Sequence, residues 1–455
     1  MGGDVDHVIG TGAPATVDGL RERLAAMLAE ARTRVLGLVA PFDDAVLRRQ
    51  HDPLMSPLVW DLAHVGNYED LWLVRALGGD PTPARAGAGE ADVDHLYDAF
   101  RNPRATRERL PLLSPQEARD YGDRVRVAAL ERLAAADLSP DGDDPLLAAG
   151  YVHQMVVQHA HMHAETMLAA IQLLPVEEGH RFGAMPPPAR RPVTSREVRV
   201  PEGTSIMGTH HPWAYDNERA AHEVDLPPYW IDTTPVTNAD YALFIEEGGY
   251  QDPRLWTEEG WRWRLEAGLS APQYWRKAGE VWLRARFGQI EEVPPDEPVQ
   301  HVCWYEADAF ARWAGKRLPT EAEWERAARW DPLTGESHHW PWGDTEPTTA
   351  HANLGQGLLR PAAVGAYPAG VSPVGCHQMV GDVWEWTASD FGPYPGFRAF
   401  PYREYSEVFF GDGYKVLRGG SWATHPSACR TTFRNWDLPI RRQIFAGFRC
   451  ARDDR

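Results

Sequence analysis

The sequence predicts a multi-domain protein in which an N-terminal all-α four-helix bundle precedes an α+β domain with much irregular structure. Apolar residues recur at helical spacing through the first 175 residues, and this period fades after residue 195. Most of the 19 tryptophans lie after residue 200, which indicates a second half of different architecture. At 455 residues the chain is long enough for two or three domains with sizeable cores.

Four segments have the pattern expected of the bundle helices. They cover residues 17–38, 56–77, 114–133 and 145–174. The second begins with Ser56 and Pro57, where serine is predicted to cap the free amides and proline suits the first helical position. In the third, Ser114 and Glu117 have the spacing of a capping box. We therefore place the bundle at residues 16–175, and such bundles commonly build metal sites from side chains that face inward.

A proline-rich segment separates the two halves. Residues 177–192 include Pro186, Pro187, Pro188 and Pro192 and show no apolar period. This composition predicts a linker over 176–195 and a second domain over 196–455.

Composition excludes several classes of partner. The formal net charge of −19 argues against a nucleic acid or an anionic membrane surface. The 4 cysteines are well separated and form no CxxC pair, which suits a reducing, cytoplasmic compartment. Residues 1–15 lack the pattern of a signal peptide, and no apolar run is long enough to span a bilayer.

Three histidines predict a metal site in the bundle. His159 and His163 are four positions apart on the fourth helix, so both point to the same face. His64 is the third predicted ligand, because it lies well inside the second helix. Three neutral imidazoles leave open positions on a metal, which favours catalysis over a closed structural site. A rival pair, His161 and Glu165, lies on another face, and histidines satisfied by ordinary partners are the alternative to any metal site.

An arginine-rich stretch lies between the second and third helices. Four arginines fall within residues 101–109 of an otherwise acidic chain. One interpretation is a solvated loop. The other is a binding site for substrate carboxylates, which guanidinium groups bind in bidentate fashion.

The second half contains five motifs in a recognisable order. They are TPVTN (234–238), KRLPTEAEWE (316–325), GDVWEW (381–386), RGGSW (418–422) and GFR (447–449). Over roughly residues 196–452 this series resembles the formylglycine-generating-enzyme, or sulfatase-modifying-factor, family, whose fold resembles C-type lectins. That family's founding enzyme uses two cysteines five positions apart. Here Cys429 holds the first position and Arg434 the second, so copper-dithiol chemistry is disfavoured.

A helical bundle with three histidines fused to such a domain resembles the ergothioneine-biosynthesis sulfoxide synthases, also called hercynine oxygenases. The resemblance covers nearly the whole chain and implies a DinB-like bundle. It is most specific in FRNWDLPIRRQ (433–443) and also includes LMSPLVWDLAH (54–64).

The resemblance implies a set of site residues. The family's iron ligands match His64, His159 and His163. The residues that bind γ-glutamylcysteine match Arg104 and Arg107 for one carboxylate, and Asp437 and Arg441 for the α-amino and α-carboxylate groups. The active-site tyrosine matches Tyr402, and Tyr405 is the alternative if that placement is shifted. Trp436 is a candidate for the trimethylammonium group of hercynine, with Asn435 for its carboxylate, although a buried tryptophan also serves core packing.

Two positions depart from the family pattern. The family commonly has Glu and Gln where this chain has Ala160 and Met162. The Gln is expected to help seat hercynine, so its loss bears on hercynine binding and leaves the iron ligands unchanged.

The expected function is Fe(2+)- and O2-dependent joining of γ-glutamylcysteine sulfur to hercynine, giving a sulfoxide. Free cysteine as the thiol donor is the nearest alternative, and the two predicted carboxylate sites argue against it. A zinc-dependent hydrolase or thiol transferase, and a non-catalytic binding module, are alternatives from other classes.

Overall fold

The computed structural model describes residues 16–85, 92–189, 193, 196–411 and 413–454. The chain divides into two compact units, Ala13–Arg181 and Phe182–Arg455. Five positions of the predicted linker (190–192, 194 and 195) and the segment 1–15, predicted to lack a signal peptide, lie outside the described residues.

The first unit is helical. Its helices are α1 (Val17–Val39), α2 (Asp44–Arg48), α3 (Leu58–Glu69), α4 (Thr82–Arg85), α5 (Val93–Leu96), α6 (Pro115–Ala135) and α7 (Tyr151–Gln172). A π-helical segment, Asp70–Arg75, follows α3, and 3-10 turns cover Arg104–Arg109 and Ala148–Gly150. Helix α1 packs on α7, and α3 packs on α6 and α7. The four long helices α1, α3, α6 and α7 therefore form the predicted bundle.

Close packing of α3 against α6 fixes the helix that carries His64. The two helices meet at Gly66 and Gly122, where a Cβ on Gly66 would lie 3.4 Å from the Cα of Gly122. A Cβ on Gly122 would in turn lie 2.6 Å from the guanidinium of Arg32. Larger side chains would push the helices apart, because a packed interior transmits such a displacement.

One predicted helix cap is confirmed and the other is wrong. Ser114 and Glu117 form the capping box, with the Ser114 amide donating to the Glu117 carboxylate at 2.7 Å. Helix α3 begins at Leu58 without a side-chain cap. The Ser56 hydroxyl instead accepts a hydrogen bond of 2.6 Å from Arg107, a residue distant in sequence, which explains why the local rule failed.

The second unit combines short strands with four α-helices among its described residues. Its strands are β1 (Glu197–Val200), β2 (Gly203–Met207), β3 (His222–Leu226), β4 (Tyr229–Asp232), β5 (Trp275–Ala278), β6 (Val281–Arg286), β7 (Gln289–Glu292), β8 (Trp384–Asp390), β9 (Lys415–Arg418), β10 (Asn435–Asp437), β11 (Ala446–Gly447) and β12 (Ala451–Asp453). Its helices are α8 (Asn238–Glu246), α9 (Glu258–Glu266), α10 (Trp304–Trp313) and α11 (Glu321–Arg329). The strands pair in the orders β1-β4-β12, β10-β9-β8-β11, β2-β3 and β5-β6-β7. Strand β10, which begins the predicted substrate-binding stretch, lies at one edge of the four-stranded sheet.

The motif residues of the second unit form its core. Trp324, Trp386 and Trp422 are fully buried. Arg418 is also fully buried, and its guanidinium pairs with two carboxylates of α11, at 2.6 and 2.5 Å. A buried charge is costly unless it is paired in this way. The motifs therefore hold an irregular fold together with aromatic packing and internal ion pairs.

All 4 cysteines are buried free thiols. Cys429 donates to the carbonyl of Gly419 at 3.2 Å. Arg434, five positions on, binds the Glu321 carboxylate at 2.7 and 3.0 Å. None of the helices in the described part of the chain has the length and apolar character that a bilayer crossing requires.

Candidate metal centre

The three predicted histidine ligands converge inside the helical unit. His64 lies on α3, and His159 and His163 lie one turn apart on α7. One ligand atom from each of the three lies within 4.8 Å of the others. The Nε2 atoms of His64 and His159 are 3.3 Å apart. Nitrogens bound side by side to one metal at about 2.1 Å are separated by about 3.0–3.4 Å, so this spacing fits a shared ion.

Hydrogen bonds fix two of the imidazoles from behind. The Nδ1–H of His64 donates to the carbonyl of Tyr97 at 2.7 Å, which leaves Nε2 with its lone pair. The Nδ1–H of His163 donates to the Asp61 carboxylate at 3.0 Å, and Asp61 is 1% exposed. Metal-binding histidines characteristically donate their second nitrogen to a carbonyl or a carboxylate in this way. The outer partners thus set both ring orientation and tautomer.

Aromatic rings fix the planes of two ligands. Trp60 stacks on His64 with centroids 4.5 Å apart and planes 15° apart. Tyr68 stacks on His159 at 3.6 Å and 10°. These contacts restrict ring rotation that hydrogen bonds alone permit.

The surroundings of His64 and His159 favour their neutral form. Burial, together with the nearby His163, holds the pKa of His64 well below its usual range. Burial and the other two rings do the same to the pKa of His159. Since a metal ligand must be an unprotonated imidazole, protons compete weakly for these two nitrogens at neutral pH.

The residues present therefore fit a metal ion. Three imidazole nitrogens converge, and two of the three rings have the outer partners of a metal ligand. Among the described residues, the buried Nδ1 of His159 has no hydrogen-bond partner, so its tautomer is set by whatever occupies Nε2. Imidazole suits zinc, copper, iron and nickel alike, so the donor set does not by itself choose the metal. His161 lies outside this cluster, two positions from both His159 and His163 on α7.

Replacing Asp61 by Asn should weaken metal binding about 10- to 100-fold, because the outer carboxylate orients the His163 ring. Competition with a chromophoric chelator measures this affinity. Asp18→Asn is the control, since the Asp18 side chain is 88% exposed on α1. Equal affinities in the Asp61 variant and the unchanged protein would refute the role of Asp61.

The two arginines predicted to bind a substrate carboxylate differ in their surroundings. Arg104 is exposed. Arg107 is 4% exposed and donates to the Asn102 carbonyl at 2.9 Å and to Ser56. Its guanidinium lies 3.5 Å from the centroid of Trp60, the ring that stacks on His64. Burial lowers the pKa of Arg107 to about 9. Arg107 thus packs on Trp60, behind the ring that stacks on His64, whereas Arg104 is open to solvent.

In the second unit, the predicted residues on and after β10 are close together. Asn435, Trp436 and Asp437 form β10, and the Nε of Arg441 lies 3.2 Å from the Asp437 carboxylate. The Arg441 side chain is 3% exposed and that of Asp437 is 17% exposed. Such an ion pair offers one carboxylate and one guanidinium. These are the groups that can bind the α-amino and α-carboxylate groups of an amino acid.

The two candidate tyrosines join Trp436 in an aromatic cluster. Tyr402 and Tyr405 have ring centroids 6.3 Å apart, and Tyr405 meets Trp436 edge to face at 5.6 Å. Trp436 itself stacks on Phe391 at 4.2 Å and 6°. Burial raises the pKa of Tyr405 well above its usual range, and its buried hydroxyl has no hydrogen-bond partner among the described residues. Tyr402 is half-buried.

Comparison with known proteins identifies the family. Residues 27–167 match the DinB superfamily, and residues 182–454 match the sulfatase-modifying factor enzyme 1-like domain. The chain is 54% identical over 440 residues to the hercynine oxygenase of Mycolicibacterium thermoresistibile, covering 95% of both chains. It is 52% identical over 435 residues to that of Mycobacterium tuberculosis, covering 95% of this chain and 99% of the relative. The chain belongs to the hercynine oxygenase family.

Membership makes the chain one of a family of oxygenase enzymes, and the predicted family and fold class are confirmed. The second half alone is also similar to the formylglycine-generating enzyme of Streptomyces coelicolor, at 35% identity over 59% of this chain and 93% of that relative.

Asp61 was not predicted from the sequence, although it precedes His64 by only three positions. Its hydrogen-bond partner is His163 on a different helix, and periodicity does not show such pairs. The role of the Tyr97 carbonyl could not be predicted from the sequence either, because every residue has a backbone carbonyl.

Proposed function

We propose that this chain catalyses Fe(2+)- and O2-dependent carbon–sulfur bond formation between hercynine and γ-glutamylcysteine. The product is hercynyl-γ-glutamylcysteine sulfoxide, an intermediate of ergothioneine biosynthesis. The observation that carries the proposal is the convergence of three imidazoles, two of which have outer hydrogen-bond partners. It occurs in a chain that is similar to hercynine oxygenases over nearly its whole length.

The proposed metal is Fe(2+), held by His64, His159 and His163. Bound iron supplies the activation of O2, chemistry that zinc does not perform. The chain's own contribution is to orient and to exclude water. Asp61 and the Tyr97 carbonyl fix the ligand rings, and Trp60 and Tyr68 cover them.

Charged side chains support γ-glutamylcysteine as the thiol donor. Asp437 is assigned to the α-amino group and Arg441 to the α-carboxylate. Arg104 and Arg107 are assigned to the second carboxylate, with Arg104 the more accessible of the two. Free cysteine has no second carboxylate, so it would leave one of these two sites unused.

Trp436 and Asn435 are assigned to hercynine. An aromatic face attracts a quaternary ammonium group, and Trp436 is half-buried. Its stacking on Phe391 means that it also packs the domain. Ala160 is 5% exposed and lies in an apolar cluster with Ala31 and Val65, so it provides no polar contact for the substrate.

Tyr402 is proposed to supply a proton during carbon–sulfur bond formation. Replacing Tyr402 by Phe removes one hydroxyl and little volume, so fold and iron content should persist. Loss of a general acid typically slows its step about 100-fold or more. Oxygen should then be diverted to the thiol alone, and the product should shift from the sulfoxide to γ-glutamylcysteine sulfinate while O2 consumption continues. Mass spectrometry of both products measures the ratio.

Tyr405→Phe is the matched control, since Tyr405 lies three residues on and contacts the Tyr402 ring. A shift seen only in the Tyr405 variant would transfer the role to Tyr405. No shift in either variant would remove tyrosine from the mechanism.

The decisive experiment compares metals. The protein is purified without oxygen, loaded with Fe(2+) or Zn(2+), and given O2, hercynine and γ-glutamylcysteine. We expect sulfoxide only with Fe(2+). Stoichiometric zinc after purification, with no iron-dependent O2 uptake, would favour a zinc hydrolase or thiol transferase. A competition between γ-glutamylcysteine and free cysteine in the same assay decides the thiol donor.

The proposed partners are small molecules, namely hercynine, γ-glutamylcysteine and O2. A thiol substrate and four buried free thiols are consistent with a reducing compartment, and we infer a cytoplasmic location on that ground.

A further inference from the structure

A short turn in the second unit buries three consecutive polar side chains. Asp216, Asn217 and Glu218 form a 3-10 turn and are 2%, 1% and 0% exposed. Three consecutive polar residues without solvent need hydrogen-bond partners, because burying such groups unpaired is costly. Their partners identify what the turn holds in place.

The Asp216 carboxylate binds the segment that contains Tyr402. We call residues 400–406 the tyrosine segment. One Asp216 oxygen accepts from the Phe400 amide at 3.2 Å, and the other accepts from the Ser406 hydroxyl. The Asn217 side chain also donates to the Ser406 hydroxyl, at 3.2 Å. Asp216 therefore holds the chain two residues before Tyr402 and four residues after it.

The same turn contacts the residues that lead into β10. Glu218 pairs with Arg430 and accepts from Thr432 at 2.8 Å. The ring of Tyr215, next to the turn, stacks on Tyr405 at 4.1 Å and 14°. These contacts fix the turn, so its hydrogen bonds can in turn fix the tyrosine segment.

We propose that Asp216 is a positioning residue, which holds the tyrosine segment so that the Tyr402 hydroxyl is placed for proton delivery. This inference rests on the proposed role of Tyr402. The regular structure within the segment is the short turn Arg403–Tyr405, so side-chain hydrogen bonds must supply much of its order. A carboxylate suits this task because both of its oxygens accept, whereas an amide accepts at only one. Burial raises the pKa of Asp216 to about 6, although the hydrogen bonds from Ser406 and Phe400 favour the charged form.

The main test is the product ratio of Asp216→Asn in the iron-loaded full-length protein. One hydrogen bond to the tyrosine segment is lost, and we expect the sulfinate-to-sulfoxide ratio to rise about tenfold, with unchanged iron content and little change in either KM. Ser406→Ala should shift the ratio in the same direction, and it serves as the test if the Asp216 variant fails to fold.

The double variant Asp216→Asn/Tyr402→Phe separates positioning from general damage. If Asp216 acts through Tyr402, the double variant should have the product ratio of Tyr402→Phe alone. Additive effects would overturn the inference. An unchanged ratio in Asp216→Asn, beside a shifted ratio in Tyr402→Phe, would overturn it while leaving the proposed function intact.

Asp382→Asn is the matched control. Asp382 is also fully buried in the second unit, and it accepts from the Ala362 amide and from Asn353 and Gln378. Its loss should reduce stability without changing the product ratio. If the Asp382 variant shifted the ratio as much as the Asp216 variant, the shift would reflect a general loss of stability in the second unit. The inference would then fail.

Amide hydrogen exchange gives a readout independent of turnover. In metal-free protein, Asp216→Asn should speed exchange of the Phe400 amide about tenfold, and Asp382→Asn should leave it unchanged. Unchanged exchange in the Asp216 variant would overturn the inference. If Tyr402→Phe left the product ratio unchanged, the proposed function of Tyr402 would fail and this inference with it. Faster exchange would then show only that Asp216 holds the segment.

Discussion

Alanine at His159 or His163 should abolish both iron binding and turnover, while the protein remains folded. Either change removes one of three converging nitrogens and leaves two ligands, which hold iron weakly. Alanine is the best helix former, so α7 should persist. The second unit has its own core around Trp324, Tyr229 and Ile231 and should be unaffected. Iron content, turnover and circular dichroism of each variant measure these outcomes.

His161→Ala is the control for this prediction, since His161 lies between the two ligands in sequence but outside the cluster. It is 1% exposed, so its replacement should cost stability and leave iron in place. Full iron occupancy in either ligand variant would refute the assignment. Loss of iron in the His161 variant alone would move the site to the other face of α7.

The histidine set could be predicted because helical spacing is a local property. His159 and His163 follow from the four-residue repeat, and the structure brings His64 to them across the bundle. Asp61 could not be predicted, because its role depends on how α3 packs against α7. Spacing within one helix specifies which side chains share a face, but not which face of a neighbour they meet.

The helix starts show the same distinction. The capping box at Ser114 uses only residues three positions apart, and it forms as predicted. Ser56 also precedes a helix and is a residue type that commonly caps one, but its hydroxyl accepts a hydrogen bond from Arg107 instead. A local preference is worth about 1 kcal/mol, so one hydrogen bond from a distant residue is enough to override it.

In the second unit, periodicity predicted little beyond an irregular α+β domain. The lectin-like fold and the candidate site residues were predicted from the family motifs. Asp216 illustrates why. Its partners, Phe400 and Ser406, are more than 180 positions away, and its own neighbours show no apolar period. A buried polar residue is recognisable only once the fold shows that it is buried.

Asp437→Asn and Arg441→Ala should each raise the KM for γ-glutamylcysteine far more than the KM for hercynine. The two side chains form an ion pair of 3.2 Å, and a substrate amino acid would replace each partner by a group of the same charge. Losing one member of a desolvated charged contact costs about 2–5 kcal/mol, which corresponds to a rise of about 30-fold or more. Steady-state kinetics with each substrate varied in turn measures both constants.

Arg312→Ala is the matched control for Arg441→Ala. Arg312 and Asp308 have the same four-residue separation on α10, and the Arg312 side chain is 46% exposed. An exposed pair contributes little, so this variant should leave both KM values unchanged. Equal damage to both substrates in the Asp437 and Arg441 variants would mean that the pair stabilises the β10 region instead of binding the thiol. Arg104→Ala extends the test. Arg104 is assigned to the carboxylate beside the thiol, which free cysteine also carries, so this variant should weaken both thiol donors. Damage by the Asp437 and Arg441 variants that is confined to the dipeptide would show that the glutamyl α-amino and α-carboxylate groups are recognised, and γ-glutamylcysteine would then be the donor that the site selects.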